Sequence, residues 1–91
     1  MAWTKFTDMH SGGGPLKVGF YEVWIEADQS AAVELFENIF KHDPDNVTCN
    51  CCGEDFWYDE CPLGAVKAGS AVITMTDIEK FRSGKRISYQ R

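Results

Sequence analysis

The sequence lacks any apolar run near the roughly 20 residues that a membrane-spanning helix needs. Its first ten residues also lack the basic start and the apolar stretch of a secretory signal peptide. We therefore expect a cytoplasmic protein. Thiols stay reduced in that compartment, where clustered cysteines more often bind metal than form disulfides.

Signals for catalysis are scarce. The chain has only two histidines, and no acid and base residues occur at a recognised catalytic spacing. The glycine-rich stretch Ser11–Lys17 lacks the lysine followed by Ser or Thr at a helix start that marks a phosphate-binding loop. We therefore expect a protein without enzymatic activity.

The composition that is present is typical of a folded globule. Hydrophobic residues make up 44% and aromatic residues 13% of the 91 positions, which argues against a disordered tail. This length predicts a single domain over residues 1–91. The core of so small a domain is thin, so a bound metal or a partner often adds stability.

Charge is unevenly distributed along the chain. All 14 acidic residues lie within residues 1–79, whereas five of the nine basic residues lie within 80–91. An acidic body repels nucleic-acid backbones and favours basic partners, although the basic segment has the opposite preference locally.

Two strands are predicted in the first third. Trp3–Met9 is the first and Val18–Ala27, which alternates clearly, is the second. Phe20 and Trp24 should lie on the face of the second strand away from the core. The core-facing set is Gly19, Tyr21, Val23, Ile25 and Ala27.

A helix is predicted over residues 30–41, with Asp28 or Ser30 as its N-cap. Asp43-Pro44 should end it, because the residue before proline avoids the helical region. One apolar stripe defines its buried side and comprises Ala32, Leu35, Phe36, Ile39 and Phe40.

The second half predicts shorter elements. Glu54–Asp59 should be a strand that returns after Val47 and Thr48, making a hairpin across the cysteine cluster. Thr76 and Glu79 form a capping-box pattern for a single helical turn. The other predictions are a loop over Pro62–Gly69, a strand over Ala71–Met75, a turn at Ser83-Gly84 and a last strand over Arg86–Tyr89.

Together these elements predict a small α+β domain: an antiparallel sheet of about four strands, one main helix packed on a face, and a zinc-knuckle hairpin.

The cysteines give the most specific signal. Cys49-x-x-Cys52-Gly53 has the spacing of a zinc knuckle, and zinc prefers four tetrahedral Cys or His ligands. We predict a zinc site formed by Cys49, Cys52, Cys61 and His10. His42, Cys51 and a carboxylate are alternatives for the fourth ligand. The competing interpretation is that all four cysteines are free thiols, some of them buried as small apolar residues.

Aromatic residues suggest a binding surface. Because neighbours in a strand alternate faces, Phe56, Trp57 and Tyr58 cannot all point inward. An exposed ring beside Asp55, Asp59 and Glu60 predicts a protein-binding patch at Trp57 and Tyr58. The alternative is that residues 62–91 fold over these rings.

Two motifs carry a family resemblance. Asp8-Met-His-Ser-Gly-Gly-Gly14 and Thr48-Cys-x-Cys-Cys-Gly53 resemble motifs of a group of short uncharacterised tailed-bacteriophage proteins. The resemblance covers roughly residues 6–58, so Cys61 lies outside it. It implies a setting in the cytoplasm of an infected bacterium, and it pairs His10 with the cysteine cluster.

Three functions are expected, in this order. The first is a zinc-stapled phage protein that binds and modulates a host protein complex, for example a defence complex of the CRISPR type. The second is a nucleic-acid-associated zinc module that uses the basic residues Lys80, Arg82, Lys85 and Arg86. The third is a small zinc metalloenzyme with an open coordination position.

Overall fold

The computed structural model describes residues 2–9, 18–46 and 54–87. Three strands and a helix come first in chain order: β1 (Trp3–Asp8), β2 (Glu22–Ile25), α1 (Gln29–Phe40) and β3 (Phe56–Cys61). A short strand β4 (Ala71–Ile73) and a second helix α2 (Met75–Arg82) follow. No helix within these ranges is long and apolar enough to cross a membrane.

The four strands form one mixed sheet in the order β3-β1-β2-β4. β1 is antiparallel to both β2 and β3, with Phe6 opposite Val23 on one side and Tyr58 on the other. β2 and β4 run parallel, with Val23 opposite Ala71. The predicted α+β class, with about four strands and one main helix, is confirmed. The prediction of a wholly antiparallel sheet is wrong, because β4 joins β2 in parallel.

The core lies between one face of the sheet and the two helices. Phe36 of α1 stacks on Phe6 of β1, with ring centroids 4.5 Å apart, and meets Phe56 of β3 at 4.8 Å. All three rings are almost completely buried. Ile78 brings α2 into the same cluster. The apolar stripe predicted for the main helix therefore does face the core, with Ala32, Leu35 and Phe36 buried.

A smaller cluster occupies the other face of the sheet. Trp3, Trp24 and Val72 are buried there, and Cys61 and Val66 pack against them. Val66 belongs to the loop of residues 62–69, which lies over this face; Gly64 of the same loop also approaches the Trp24 ring. The prediction that Trp24 points away from the main core is confirmed.

The second strand is shorter than predicted. Regular pairing covers only Glu22–Ile25, and Gly19 has a φ of 88°, which takes the preceding chain out of an extended conformation. As a result Phe20 packs on the helix side against Phe40, and Tyr21 is 49% exposed. Both placements are opposite to the predicted alternation.

The first helix matches its prediction within one residue at each end. Asp28 is the N-cap, and its side-chain carboxylate accepts a hydrogen bond from the Ala31 N–H at 2.9 Å. The helix ends at Phe40, and the chain turns away through Lys41, whose φ of 57° is left-handed.

The second helix begins earlier than predicted and is longer than a single turn. Thr74 is its N-cap, and Asp77 completes the capping box by accepting a hydrogen bond from the Thr74 N–H at 3.0 Å. The prediction of Thr76 and Glu79 for this role is wrong. The reason is that β4 ends at Ile73 and the side chain of Glu26 accepts a hydrogen bond from the Met75 N–H at 2.8 Å, which starts the helix there.

The remaining predictions concern the chain from the cysteine cluster onward. β3 spans Phe56–Cys61 instead of 54–59 and pairs with β1. The knuckle itself lies outside the described residues. Arg86 and Ile87 are not in a strand, contrary to the prediction, and the rest of the predicted last strand is outside the described residues. The loop over 62–69 and the turn at 83–84 are confirmed.

Candidate functional site

The chain on either side of the cysteine cluster is held together at the start of β3. The Asp55 N–H donates to the Asn46 carbonyl at 2.7 Å, and the Phe56 N–H donates to the Pro44 carbonyl at 3.1 Å. These two bonds join the segments before residue 47 and after residue 53, and we call this junction the stem. Residues 47–53 connect the two segments and include three of the four cysteines.

A histidine and a buried carboxylate lie at this stem. Nε2 of His42 donates to Oδ2 of Asp55 at 2.9 Å, and the Asn46 side-chain amide donates to the same oxygen at 3.2 Å. Asp55 is only 2% exposed. The His42 ring also stands edge-on to Phe56, with centroids 5.6 Å apart. The carboxylate and the ring contact together fix the orientation of the imidazole.

This orientation has a chemical consequence. In the neutral ring, donation from Nε2 to the carboxylate leaves Nδ1 with its lone pair, which can act as a base or a metal ligand. Histidines that bind metals usually donate their second N–H to a carboxylate or carbonyl in this way. The pair with Asp55 therefore suits a ligand role for the neutral form of His42.

A second polar pair lies next to the stem. The Tyr58 hydroxyl donates to Oδ1 of Asp45 at 2.7 Å, and the Tyr58 ring packs on Phe6 with centroids 5.3 Å apart. The hydrogen bond to Asp45, burial, and the negative charges of Asp45, Asp43 and Glu54 raise the pKa of Tyr58 to about 12. The phenol thus remains a neutral donor in a strongly acidic surrounding.

The predicted zinc ligands fall in different parts of the chain. His10, Cys49, Cys51 and Cys52 lie outside the described residues. Their described neighbours are close: the Met9 N–H donates to the Asp55 carbonyl at 3.0 Å. The sheet thus brings the chain next to His10 and the chain next to Cys52 to one end of β3.

Cys61 lies at the other end of β3. It is opposite Trp3 in the ladder, whereas Phe56 is opposite Asp8, and five steps along a strand span about 17 Å. Its side chain packs on the face that carries Trp3, Trp24 and Val72. Within residues 2–9, 18–46 and 54–87, no group of three or more His, Cys, Asp or Glu residues is arranged to hold a metal ion.

Of the predicted partner-binding residues, Trp57 is the most accessible, with 57% of its surface exposed. Phe56 points inward and Tyr58 is partly buried, so the alternation expected for this strand is confirmed with Trp57 on the outer side. The loop of residues 62–69 covers Trp3 and Trp24 and leaves Trp57 open. Lys85 and Arg86 are exposed and follow α2, which packs on β4 at the opposite edge of the sheet.

Sequence reasoning did not find the two hydrogen-bonded pairs at the stem. His42 and Asp55, like Asp45 and Tyr58, are separated by 13 positions, a spacing that belongs to no local motif. They meet because the chain reverses between α1 and β3. The only sequence signal was the concentration of acidic residues on both sides of the cysteines.

Comparison of the chain with protein-family models, with curated proteins and with solved structures found no match. The functional argument therefore rests on the residues and their geometry.

Proposed function

We propose that this chain is a non-enzymatic interaction protein that binds and modulates a host protein complex through the outer side of β3. The observation that carries the proposal is the exposed ring of Trp57. Tryptophan and tyrosine are over-represented among the residues that dominate binding energy at protein interfaces, since they bury a large area and lose little conformational freedom.

Other exposed apolar groups lie at the same end of the sheet. Trp57 is opposite Thr7 in the ladder, and Met9 and Tyr21 flank the end of β1, where the Asp8 N–H donates to the Tyr21 carbonyl. Met9 is 42% and Tyr21 49% exposed. Apolar area on these three side chains becomes available for burial when a partner binds.

The charge around Trp57 indicates the kind of partner. An acidic rim lies on β3 and on the chain beside it, and consists of Asp43, Asp45, Glu54, Asp59 and Glu60, all exposed. Asp59 shares the face of Trp57 by strand alternation, and Asp43, Asp45 and Glu54 act on Tyr58, the next residue along β3. Complementary potentials speed association and select partners, so a basic protein surface fits this rim. Basic surfaces of that kind are common on complexes that handle nucleic acids, which is consistent with inhibition of a defence complex.

Zinc supplies the structural part of the proposal. The stem at Asn46 and Asp55 joins the two segments that flank Cys49, Cys51 and Cys52 in the sequence, and the oriented His42 is hydrogen-bonded to Asp55 of this stem. We propose Cys49 and Cys52 as zinc ligands, together with His10 or His42. Cys61 is the least supported of the predicted ligands, because it lies at the far end of β3. A zinc bound by the folded chain and not by the unfolded chain stabilises the fold.

The biological setting comes from the resemblance to phage proteins and is proposed on that basis alone. The site of action is then the cytoplasm of the infected bacterium, and the partner is a host protein or complex.

The proposal is tested by affinity capture from a lysate of the host bacterium, followed by measurement of binding to the captured component. We expect Trp57→Ala to weaken binding by about tenfold or more, the typical loss at a dominant interface residue. Leu63→Ala is the matched control, because Leu63 is also a large exposed apolar residue, 46% exposed, on the loop of residues 62–69. Circular dichroism checks that both variants fold.

Two results would contradict the proposal. Equal binding by the wild type and by Trp57→Ala would remove the ring from the interface. Loss of activity in a Lys85→Gln, Arg86→Gln double variant, together with a salt-dependent gel shift of DNA or RNA, would instead favour the nucleic-acid-associated module.

A further inference from the structure

β3 is an edge strand of the sheet. In the order β3-β1-β2-β4 it pairs with β1 on one side, and no strand of the described ranges lies beyond it. An edge strand presents main-chain N–H and C=O groups that another extended chain can pair with. The question is which of these groups face outward on β3.

The hydrogen bonds between β3 and β1 show which main-chain groups of β3 face outward. Met9 donates to the Asp55 carbonyl, whereas the Phe56 N–H points away from β1 and donates to Pro44. Main-chain groups alternate between the two sides of an antiparallel strand. It follows that Trp57 and Asp59 turn their main-chain groups toward β1, and Tyr58 and Glu60 turn theirs outward.

The outward groups are not all equally accessible. The Pro44 carbonyl accepts the outward N–H of Phe56, so this part of the edge is already paired. The hydrogen bond from Tyr58 to Asp45 holds the turn at Pro44 and Asp45 against β3. The edge beyond this turn comprises the main-chain groups of Tyr58 and Glu60. Trp57, Asp59 and Glu60 of this stretch have exposed side chains, which alternate between the two faces of the strand.

We propose that the outer edge of β3 from Tyr58 to Glu60 binds an extended basic segment of the partner protein by strand addition. The inference rests on the proposed function and specifies the chemistry of its partner. Main-chain hydrogen bonds to Tyr58 and Glu60 give register, Trp57 covers the apolar part of the added strand, and lysine or arginine side chains pair with the acidic rim.

Charge selects this occupant over a second copy of the chain. Pairing β3 with itself would bring Asp59 and Glu60 of one copy near the same acids of the other, and like charges facing each other across strands are destabilising. A basic strand turns the same charges into attractive pairs.

The test is an NMR titration of the 15N-labelled full chain with a nine-residue peptide of alternating lysine and threonine. We expect the amide signals of Tyr58 and Glu60 and the indole signal of Trp57 to shift, and the same amides to become protected from hydrogen exchange. A peptide of alternating glutamate and threonine should produce neither effect. Absence of binding by the lysine peptide, or shifts confined to other parts of the sheet, would overturn the inference.

Two substitutions at one position separate the main chain from the side chain. Glu60→Pro removes an outward N–H and no bond to β1, whereas Glu60→Ala keeps that N–H. Both lose the hydrogen bond that the Glu60 carboxylate accepts from the Gln29 N–H at 2.9 Å. We expect Glu60→Pro to bind the lysine peptide about fivefold more weakly than Glu60→Ala, the loss of one main-chain hydrogen bond. Equal affinities would overturn strand addition.

The outcomes distinguish this inference from the proposed function. If Trp57→Ala weakens binding of the host component and Glu60→Pro binds the lysine peptide as tightly as Glu60→Ala, the proposed interaction function is supported and strand addition is overturned. If the same amides shift with protein concentration in the absence of peptide, the edge binds a second copy and the inference is overturned.

Discussion

Tyr58 combines three roles in one side chain. Its ring packs on Phe6 in the core, its hydroxyl donates to Asp45, and its main chain belongs to β3, the edge strand of the sheet within the described ranges. The hydroxyl can serve as a donor only while it carries its proton. Because the neighbouring acids repel a phenolate, the fold favours the neutral form of this residue.

This environment predicts a measurable titration. The folded chain raises the pKa of Tyr58 from 10.0 to about 12, so it holds the phenol proton more tightly than the unfolded chain does. The resulting stabilisation is complete below pH 10 and is lost as the pH rises toward 12. Asp45→Asn should lower the pKa of Tyr58 toward 10, as measured by NMR of 13C-labelled tyrosine.

Asp59→Asn is the control for that titration, because Asp59 is not among the groups that raise the pKa of Tyr58. If Asp45→Asn leaves the pKa of Tyr58 unchanged, the hydrogen bond to Asp45 is not its cause.

At the scale of the elements, the start of α2 shows how tertiary structure chooses between two equivalent local signals. Thr74 precedes Asp77 and Thr76 precedes Glu79, and each pair has the spacing of a capping box. The chain uses the first pair, because β4 ends at Ile73 and the carboxylate of Glu26, which follows β2, accepts a hydrogen bond from the Met75 N–H. Neither constraint is visible in the local sequence.

The choice predicts different costs for two neighbouring threonines. Thr74→Ala should lower the free energy of unfolding by about 0.5–2 kcal/mol, since it removes the bond to the Asp77 N–H at the helix start. Thr76→Ala, on an exposed position of the same helix, should change it by less than about 0.5 kcal/mol. Urea denaturation of both variants measures the difference. A larger loss of stability in Thr76→Ala than in Thr74→Ala would indicate that Thr76 is the N-cap.

Other elements were predictable from the sequence to the extent that their signals are local. The apolar stripe of α1 repeats within one helix, so its boundaries and its buried side follow from spacing. The parallel pairing of β2 with β4 does not follow from local spacing, because α1 and β3 separate the two strands in the sequence. In the site, the exposure of Trp57 followed from alternation, whereas the His42–Asp55 pair depends on where two distant segments meet.

At the scale of the whole molecule, the sheet separates the cysteines into two groups. Three lie in the sequence between Asn46 and Asp55, which are joined at one end of β3, and Cys61 packs beside Trp3 and Trp24 at the other end. It also separates the charges. The acidic rim lies along β3, whereas Lys80, Arg82, Lys85 and Arg86 lie on or after α2, beside β4 at the other edge.

The separation of the cysteines predicts a contrast between two serine substitutions. We expect about one zinc per chain by elemental mass spectrometry, and Cys52→Ser should lose it and lower Tm by about 10 °C or more. Cys61→Ser should keep the metal, because its position is about 17 Å along β3 from Phe56.

Metal-free protein with four freely titrating thiols would rule out the zinc staple. If the Cys61→Ser variant folds but loses its zinc, Cys61 is a zinc ligand.

The parallel pairing of β2 with β4 also affects when the protein can fold. Val23 meets Ala71 only after the ribosome has synthesised the helix, the cysteine loop and the third strand. Until then β2 has one free edge and its apolar residues lack the contribution of Ile73 and Ile78 to the core. Pairings between positions so far apart in the chain slow folding and prolong the exposure of strand edges. The nascent chain therefore cannot complete its sheet until β4 has left the ribosome.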